Sequence, residues 1–523
     1  MSCACLLSQS ELQKIYNLFS FILDKISIDG IKHRLAEEIR MICEQRPVVT
    51  RKVRRLIHLV NNRMELIDTE PDDEKLLHYV HAVKSPTPLT RSQPDISDYR
   101  EALKALNAGE LKDEAKALAK PMRSTGLATS HLAVMLEILI DKAPYIVPQA
   151  LRLNKRGEAE WNRHQDFVIK MITEVVSVHN YQCIYGLARL LERGLLSRNA
   201  VKASLNNLRM IRINPEVEKN ILMSQVKPSE LVTAKQFLIA ATIRVLGQPL
   251  GIGQGNNSTC QSARGISMWS QHASAKLINM IITVAAQNNL ILRFENKDLE
   301  SIKLGKGLID KLDYNLDAVS AVLVPHLDKI YNEMMRLASG RGEDPHKWVN
   351  PALYGHWIQI GFASAYSYLT NSIHDYDGFI RLLYATVHPH YNGHREMVYP
   401  NPVGIFITSK SGAMVGFHAI SLLRVQKSPN GEIRAYFLNP NNEGRQNWGQ
   451  GIKPSVHGHG ERHGESSLPF YQLAARIYAF HFNSLESHAH LGEVPESEIQ
   501  KVRKLSKESW GSSYIWNDLK KIW

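Results

Sequence analysis

Cysteine is scarce in this chain, with five among 523 residues at positions 3, 5, 43, 183 and 260. No two form a C-x-x-C pair, which excludes a disulfide-stapled fold and the cysteine-paired zinc motifs and points to a reducing compartment. Long apolar runs are also missing. No stretch approaches the roughly 20 apolar residues that cross a bilayer, so no transmembrane segment is expected. The opening "MSCACLLSQSELQKIY" has neither a basic n-region nor a cleavable apolar core, so no classical signal peptide is expected either. Cys3 and Cys5 read as part of an unstructured terminus rather than as lipid anchors. A cytoplasmic-type soluble protein is the expectation, with non-classical export as an effector left open. A G-x-x-x-x-G-K-[ST] loop and a dinucleotide fingerprint are both absent, so no cofactor is expected. No fixed-period repeat supports a solenoid.

What is present begins with charge. The net balance is +12, which favours an acidic or anionic surface as a partner without pointing to a specific nucleic acid. The densest basic stretch, "RPVVTRKVRRLIHLVNNR" (Arg46 to Arg63), has Val53, Leu56, Ile57 and Val60 at helical spacing, and its cations read as a solvated helix face. From Ser10 to about Leu246 apolar residues recur at three and four, the helical period. "VKSPTPLTRSQPDISD" (Val83 to Asp98), with three prolines, reads as a linker. A long helix is expected from Cys260 to about Gln287. Beyond Val398 come strand patterns, "PVGIFITS", "AMVGFHAISLLRVQ" and "EIRAYFLN", the last two joined through Asn430-Gly431, a strong hairpin signal. The expected fold is α+β, with an N-terminal helical region (1–90), a second helical bundle (91–245), and a domain over 246–523 in which a helix packs on an antiparallel sheet.

The chemistry centres on "GQGNNSTCQSARGISMWSQH" (Gly253 to His272). Ser258 and Gln261 fit an S-x-x-Q capping box, which would place Cys260 in the first turn of the helix. There the helix dipole favours an anion, and the thiolate is the nucleophilic form of cysteine. The surrounding glycines would let a substrate backbone approach. A thiolate needs a base and a group to orient it. His418, in a strand with small neighbours Gly416 and Ala419, is the candidate base, and Asn439, at the end of the next strand, is the candidate orienting group. With a strict two-residue turn at Asn430-Gly431, His418 would face Glu443 and Asn439 would lie roughly 13 Å further along. A longer loop or a bulge shortens that gap and makes Asn441 the competitor.

These residues resemble the papain-like cysteine proteases. Gln254, Gly255 and Cys260 reproduce the spacing of the family's glutamine, glycine and nucleophile; His418, Ala419 and Ile420 match its H-A-hydrophobic strand; and "FLNPNNEG" is similar to the D-P-N-x-G element of YopT-type bacterial effector proteases. The resemblance covers about residues 250–450. It implies a papain-like domain in which Cys260, His418 and Asn439 form the triad, and Gln254 with the Cys260 N–H forms the oxyanion hole. Two departures stand out: Gln261 replaces the usual aromatic residue after the nucleophile, and the family's N-S-W-G is stretched to "NPNNEGRQNWG".

The implied activity is a cysteine protease cleaving a protein or peptide substrate. A transglutaminase or deamidase using the same triad, and a non-enzymatic helical scaffold carrying a degenerate domain, stay open beside it. The helical half could serve as an inhibitory pro-region or position a substrate. Two histidine clusters share the pattern H-x-H-x3-H: His388, His390 and His394, then His457, His459 and His463. Imidazoles at i and i+2 can share a metal, but no cysteine or aspartate completes either set. A mobile polar flap beside the cleft is favoured, and no metal is expected.

Overall fold

The structure, a computed structural model, describes residues 17–18, 29–61, 71–84, 87–225, 232–442 and 444–521. Cys3, Cys5, Glu443 and most of the segment following Ser10 lie outside the described residues. Among the described residues no helix is long and apolar enough to cross a membrane. The architecture is α+β, with helices through the first half and an antiparallel sheet in the last third.

Three helices, α1 (Asp29–Glu44), α2 (Arg51–Asn61) and α3 (Pro71–Lys84), enclose a small core that includes Leu35, Ile39, Val53, Ile57, Leu76 and Val80. The apolar stripe of the basic stretch faces this core, with Leu56 partly buried beside it. Its arginines do not all face solvent, which corrects the expected solvated face. Arg46 is buried and donates to Tyr185 Oη at 3.2 Å, Thr125 O at 3.2 Å and Ser124 O at 2.6 Å. Arg54 donates to Ala128 O at 2.7 Å, and Arg51 to the carbonyls of Tyr314 and Leu316, both at 3.3 Å. A desolvated guanidinium needs acceptors, and the carbonyls of a neighbouring helix end and of loops supply them. The expected linker contains a short helix, Pro88–Ser92, because Pro88 presets the first turn and Thr87 Oγ1 accepts from Thr90 N at 3.1 Å.

A second, larger core runs from Val48 to Ile358. It joins α4 (Ala108–Thr125) and helix Ala234–Gly247 to α5 (Cys260–His272), α6 (Ser274–Gln287) and helices Ala318–Ala338 and His346–Tyr354. Packing therefore continues across residue 245, and the cysteine helix belongs to the helical core through Ala263, Ile266, Met268 and Trp269. The long helix expected from Cys260 breaks at Ala273 (φ −139°, ψ 49°). Arg193 Nη2 donates to the carbonyls of Ser270 (3.0 Å) and Gln271 (3.3 Å), and Ser274 Oγ donates to Ser270 O at 2.8 Å. These donors take carbonyls that a continuous helix would use, and such competition bends or ends helices.

The last third forms a six-stranded antiparallel sheet of β1 (Gly361–Ser364), β2 (Asn401–Thr408), β3 (Met414–Lys427), β4 (Ile433–Leu438), β5 (Ser466–Pro469) and β6 (Ile477–Phe482). Its spatial order is β1-β6-β2-β3-β4-β5. The sheet has a core of its own, including Phe379, Val403, Ile420, Phe437, Phe480 and Trp510. Helix α5 lies against β3, which brings the cysteine to the histidine strand.

The β3–β4 hairpin does not use a two-residue turn. Ser428 N donates to Glu432 O at 2.8 Å and Gly431 N to Ser428 O at 2.9 Å, so the loop is Pro429-Asn430-Gly431, with Gly431 at φ +86°. Glycine takes that left-handed position without a Cβ penalty. A bulge follows, because Leu422 pairs with Phe437 but Arg424 pairs with Tyr436, leaving Leu423 extra. Loop and bulge each slip the register by one residue.

Candidate functional site

Register brings the site together. Counting on from the Ser421–Leu438 pair, Asn441 stands nominally opposite His418 and Asn439 two residues along on the same face, which is diagonal reach for side chains. His418 Nε2 lies 2.7 Å from Asn439 Oδ1. An amide oxygen only accepts, so Nε2 carries the hydrogen and Nδ1 is the basic nitrogen. Asn441 does not contact the ring through this bond. Its backbone N–H instead donates to Asn439 Oδ1 at 3.0 Å, bracing the amide. Asn439 Nδ2 donates to Gln446 Oε1 at 2.7 Å, and that oxygen also accepts from Trp448 Nε1 at 2.8 Å. The stretched "NPNNEGRQNWG" thus folds back so that Trp448 supports Asn439 through Gln446, a residue that sequence reasoning missed. The displaced Trp448-Gly449 pair was the signal for it.

Cys260 is the first residue of α5, at the positive end of the helix dipole. The expected capping box is not formed. Thr259, not Ser258, is the N-cap, and it makes no side-chain cap bond. Gln261 is used elsewhere: its Oε1 accepts from Cys260 Sγ at 3.6 Å and its Nε2 donates to Asp328 Oδ1 at 3.2 Å. Asp328 is buried, and burial, with the sulfur adding to it, raises its carboxyl above the ordinary range against two opposing backbone hydrogen bonds.

The Cys260 side chain acts on the His418 imidazole as well as Asn439 does. Burial alone would lower its pKa. The interaction with the Cys260 sulfur and the bond to Asn439 outweigh that, and the pKa is raised although Arg264 pushes it down. Arg264, one turn beyond Cys260, is a further residue that the sequence reading missed. It is 2% exposed and donates to Tyr354 Oη from Nε (3.1 Å) and Nη2 (2.8 Å), to Val403 O and Ile420 O (both 3.2 Å), and to Asn350 Oδ1 (3.4 Å). Val403 and Ile420 are cross-strand partners, so this guanidinium pins the cysteine helix to the strand carrying His418.

Gln254 N donates to Pro440 O at 2.9 Å, next to Asn439, and its buried Oε1 has no hydrogen-bond partner among the described residues. The glycines around it serve the chain itself rather than lying open to a substrate. A Cβ on Gly251 would stand 2.0 Å from Arg46 O, one on Gly253 2.5 Å from Asn442 Oδ1, and one on Gly255 2.9 Å from Asn315 O. Cys260 is 5% exposed and His418 8%. A narrow cavity of about 30 Å³, room for about one water, is walled by Gly253, Gly255, Asn442 and residues of the N-terminal module such as Ile42 and Val49, and neither Cys260 nor His418 lines it.

The histidine clusters do not gather ligands. Among the described residues no group of three His, Cys, Asp or Glu side chains could hold a metal ion. His388 is stacked on Tyr384 and Tyr391, at ring distances of 5.1 and 4.8 Å, and burial lowers its pKa to about 4. The second cluster is tied down: His463 Nδ1 lies 3.4 Å from Glu44, Gly464 N donates to Glu44 O at 3.1 Å, and Tyr436 Oη donates to His459 O at 2.5 Å. It is anchored to α1 instead of forming the expected mobile flap. In comparisons with known protein families, curated proteins and solved structures, nothing matches this chain.

Proposed function

We propose that the chain is a cysteine-dependent hydrolase of papain-like type, acting on an acyl group of a protein or peptide. The observation that carries this reading is the convergence of Cys260, His418 and Asn439: one imidazole whose pKa the Cys260 sulfur raises and which lies 2.7 Å from an asparagine oxygen that fixes its tautomer. In this reading His418 Nδ1 takes the thiol proton, giving a thiolate and an imidazolium. The sulfur attacks the substrate carbonyl, forming a C–S bond and an oxyanion, which Gln254 and the Cys260 N–H stabilise. The imidazolium then returns its proton to the leaving amine as the C–N bond breaks, and water cleaves the thioester to release the acid and restore the thiol. Arg264 holds the helix and strand at the spacing this transfer needs. Cys260 is 5% exposed, so turnover requires the surface over the sulfur to open to a substrate.

The test is alkylation of the full chain with iodoacetamide or a peptidyl epoxide, followed by peptide mapping, in the wild type and in His418→Ala. Modification of Cys260 that falls strongly without His418 supports the reading. Cys260 labelling that is absent, or indifferent to His418, overturns it. Mass spectrometry of protein substrates treated with the wild type or Cys260→Ala then separates backbone cleavage from amine incorporation or deamidation at glutamine.

A further inference from the structure

A second cavity, independent of the cysteine site, lies between α3, α4 and the turn at Arg152. Its volume is about 480 Å³, within the range of roughly 300–1,000 Å³ typical of small-molecule sites. Its lining carries three cations, Lys120, Arg123 and Arg152, no carboxylate, the imidazoles of His78 and His81, and the hydroxyls of Thr87 and Ser124 between them.

Several observations indicate that this positive charge is not neutralised from within. Burial and then the neighbouring cations, Arg46 and Lys120 for His78 and chiefly Arg91 for His81, hold both imidazoles below their ordinary pKa. Arg123 pairs with Glu192 at 2.8 Å, but Arg189 shares that carboxylate, and Nη1 of Arg123 is buried with no hydrogen-bond partner among the described residues. Arg152 holds φ +48°, a left-handed backbone that glycine or asparagine adopts at lower cost. Ser124 Oγ lies 3.1 Å from His78 Nε2, so a hydroxyl and an imidazole converge on the same wall. Cations on separate elements around one cavity suit an anion with several charged groups. Guanidinium forks match phosphate oxygens in particular.

We propose that this cavity binds a ligand bearing two or more phosphate groups, either a soluble polyphosphate or the head group of a polyphosphorylated lipid. The proposal does not depend on the chemistry assigned to Cys260.

The full chain is titrated calorimetrically with inorganic tripolyphosphate and floated with phosphatidylcholine vesicles with and without phosphatidylinositol bisphosphate. Three proteins are compared: wild type, Lys120→Ala/Arg152→Asn, and the charge-matched control Lys410→Ala/Lys453→Ala. Lys120 and Arg152 are exposed, and asparagine tolerates the left-handed backbone, so the cavity variant keeps its fold. The expected result is saturable binding that weakens roughly tenfold for each cation removed from the cavity and is unchanged in the control. Binding of tripolyphosphate alone assigns a soluble ligand, and binding of the lipid-containing vesicles alone assigns a head group; either supports the site. No saturable binding of either probe, or equal loss in the control, overturns it.

Discussion

Replacing Arg264 tests whether the site is assembled as described. In Arg264→Met the stem remains but the guanidinium is lost, and with it the donors to Tyr354 Oη, Val403 O, Ile420 O and Asn350 Oδ1, all in a region where the arginine itself is 2% exposed. Each buried acceptor left without its donor costs about 1–3 kcal/mol, and relief from burying the cation offsets part of this. A net loss of about 3–5 kcal/mol follows, in the range seen when one partner of a buried charged network is removed. A buried cation one turn from Cys260 disappears as well, and because a nearby cation favours a thiolate in general, alkylation of Cys260 is expected to slow at neutral pH. Arg264→Lys separates the two effects. It keeps the charge but not the planar fork that spans two strands, so stability falls while much of the alkylation rate is retained. Denaturant unfolding followed by tryptophan fluorescence, with timed alkylation and peptide mapping, reads both quantities. Stability of Arg264→Met within about 0.5 kcal/mol of wild type, with an unchanged alkylation rate, would refute the reasoning.

Cys260→Ala should lower the pKa of His418: burial and Arg264 already push the ring down, and the sulfur is the largest of the effects that raise it. A histidine NMR titration showing no downward movement would contradict the pairing. In the native protein Cys260 should be alkylated ahead of Cys43 and Cys183, whose thiols burial pushes up to about 12; peptide mapping that finds the order reversed would remove Cys260 as the activated thiol. Acid should destabilise the fold before most carboxylates titrate. His326, His388 and His481 are buried and lowered from 6.5 to about 4, chiefly by that burial. Their neutral rings support the fold fully above pH 6.5, and each loses up to roughly 3 kcal/mol of that support as the pH falls toward 4. Urea midpoints across this window should drop in the wild type and drop less in His388→Gln, and identical slopes would count against it.

The strands were legible because their signals are local. "PVGIFITS", "AMVGFHAISLLRVQ" and "EIRAYFLN" correspond to β2, β3 and β4. The start of α5 at Cys260 was legible too, though its cap was not. Ser258 and Gln261 satisfy a capping pattern on paper, yet Gln261 Nε2 goes to Asp328, which lies 67 residues away in the chain. A local motif loses its side chain when a distant buried carboxylate offers a better partner. Arg264 was missed for a related reason: its acceptors come from a helix and two strands far along the chain, and no spacing rule encodes them.

By itself the sequence determined which residues have the right chemistry and in what order they come: a thiol at the head of a helix, a histidine within a strand, and an asparagine where Pro440 ends the next one. Propensity, turn residues and hydrophobic period act over a few positions, and that is the range they specify. Tertiary structure decided that Asn439 rather than Asn441 meets the imidazole, through the three-residue loop at Pro429–Gly431 and the extra residue at Leu423. Each shifts the pairing by one step, and because side chains alternate across a strand, only the sum of both shifts returns Asn439 to the face of His418 within reach.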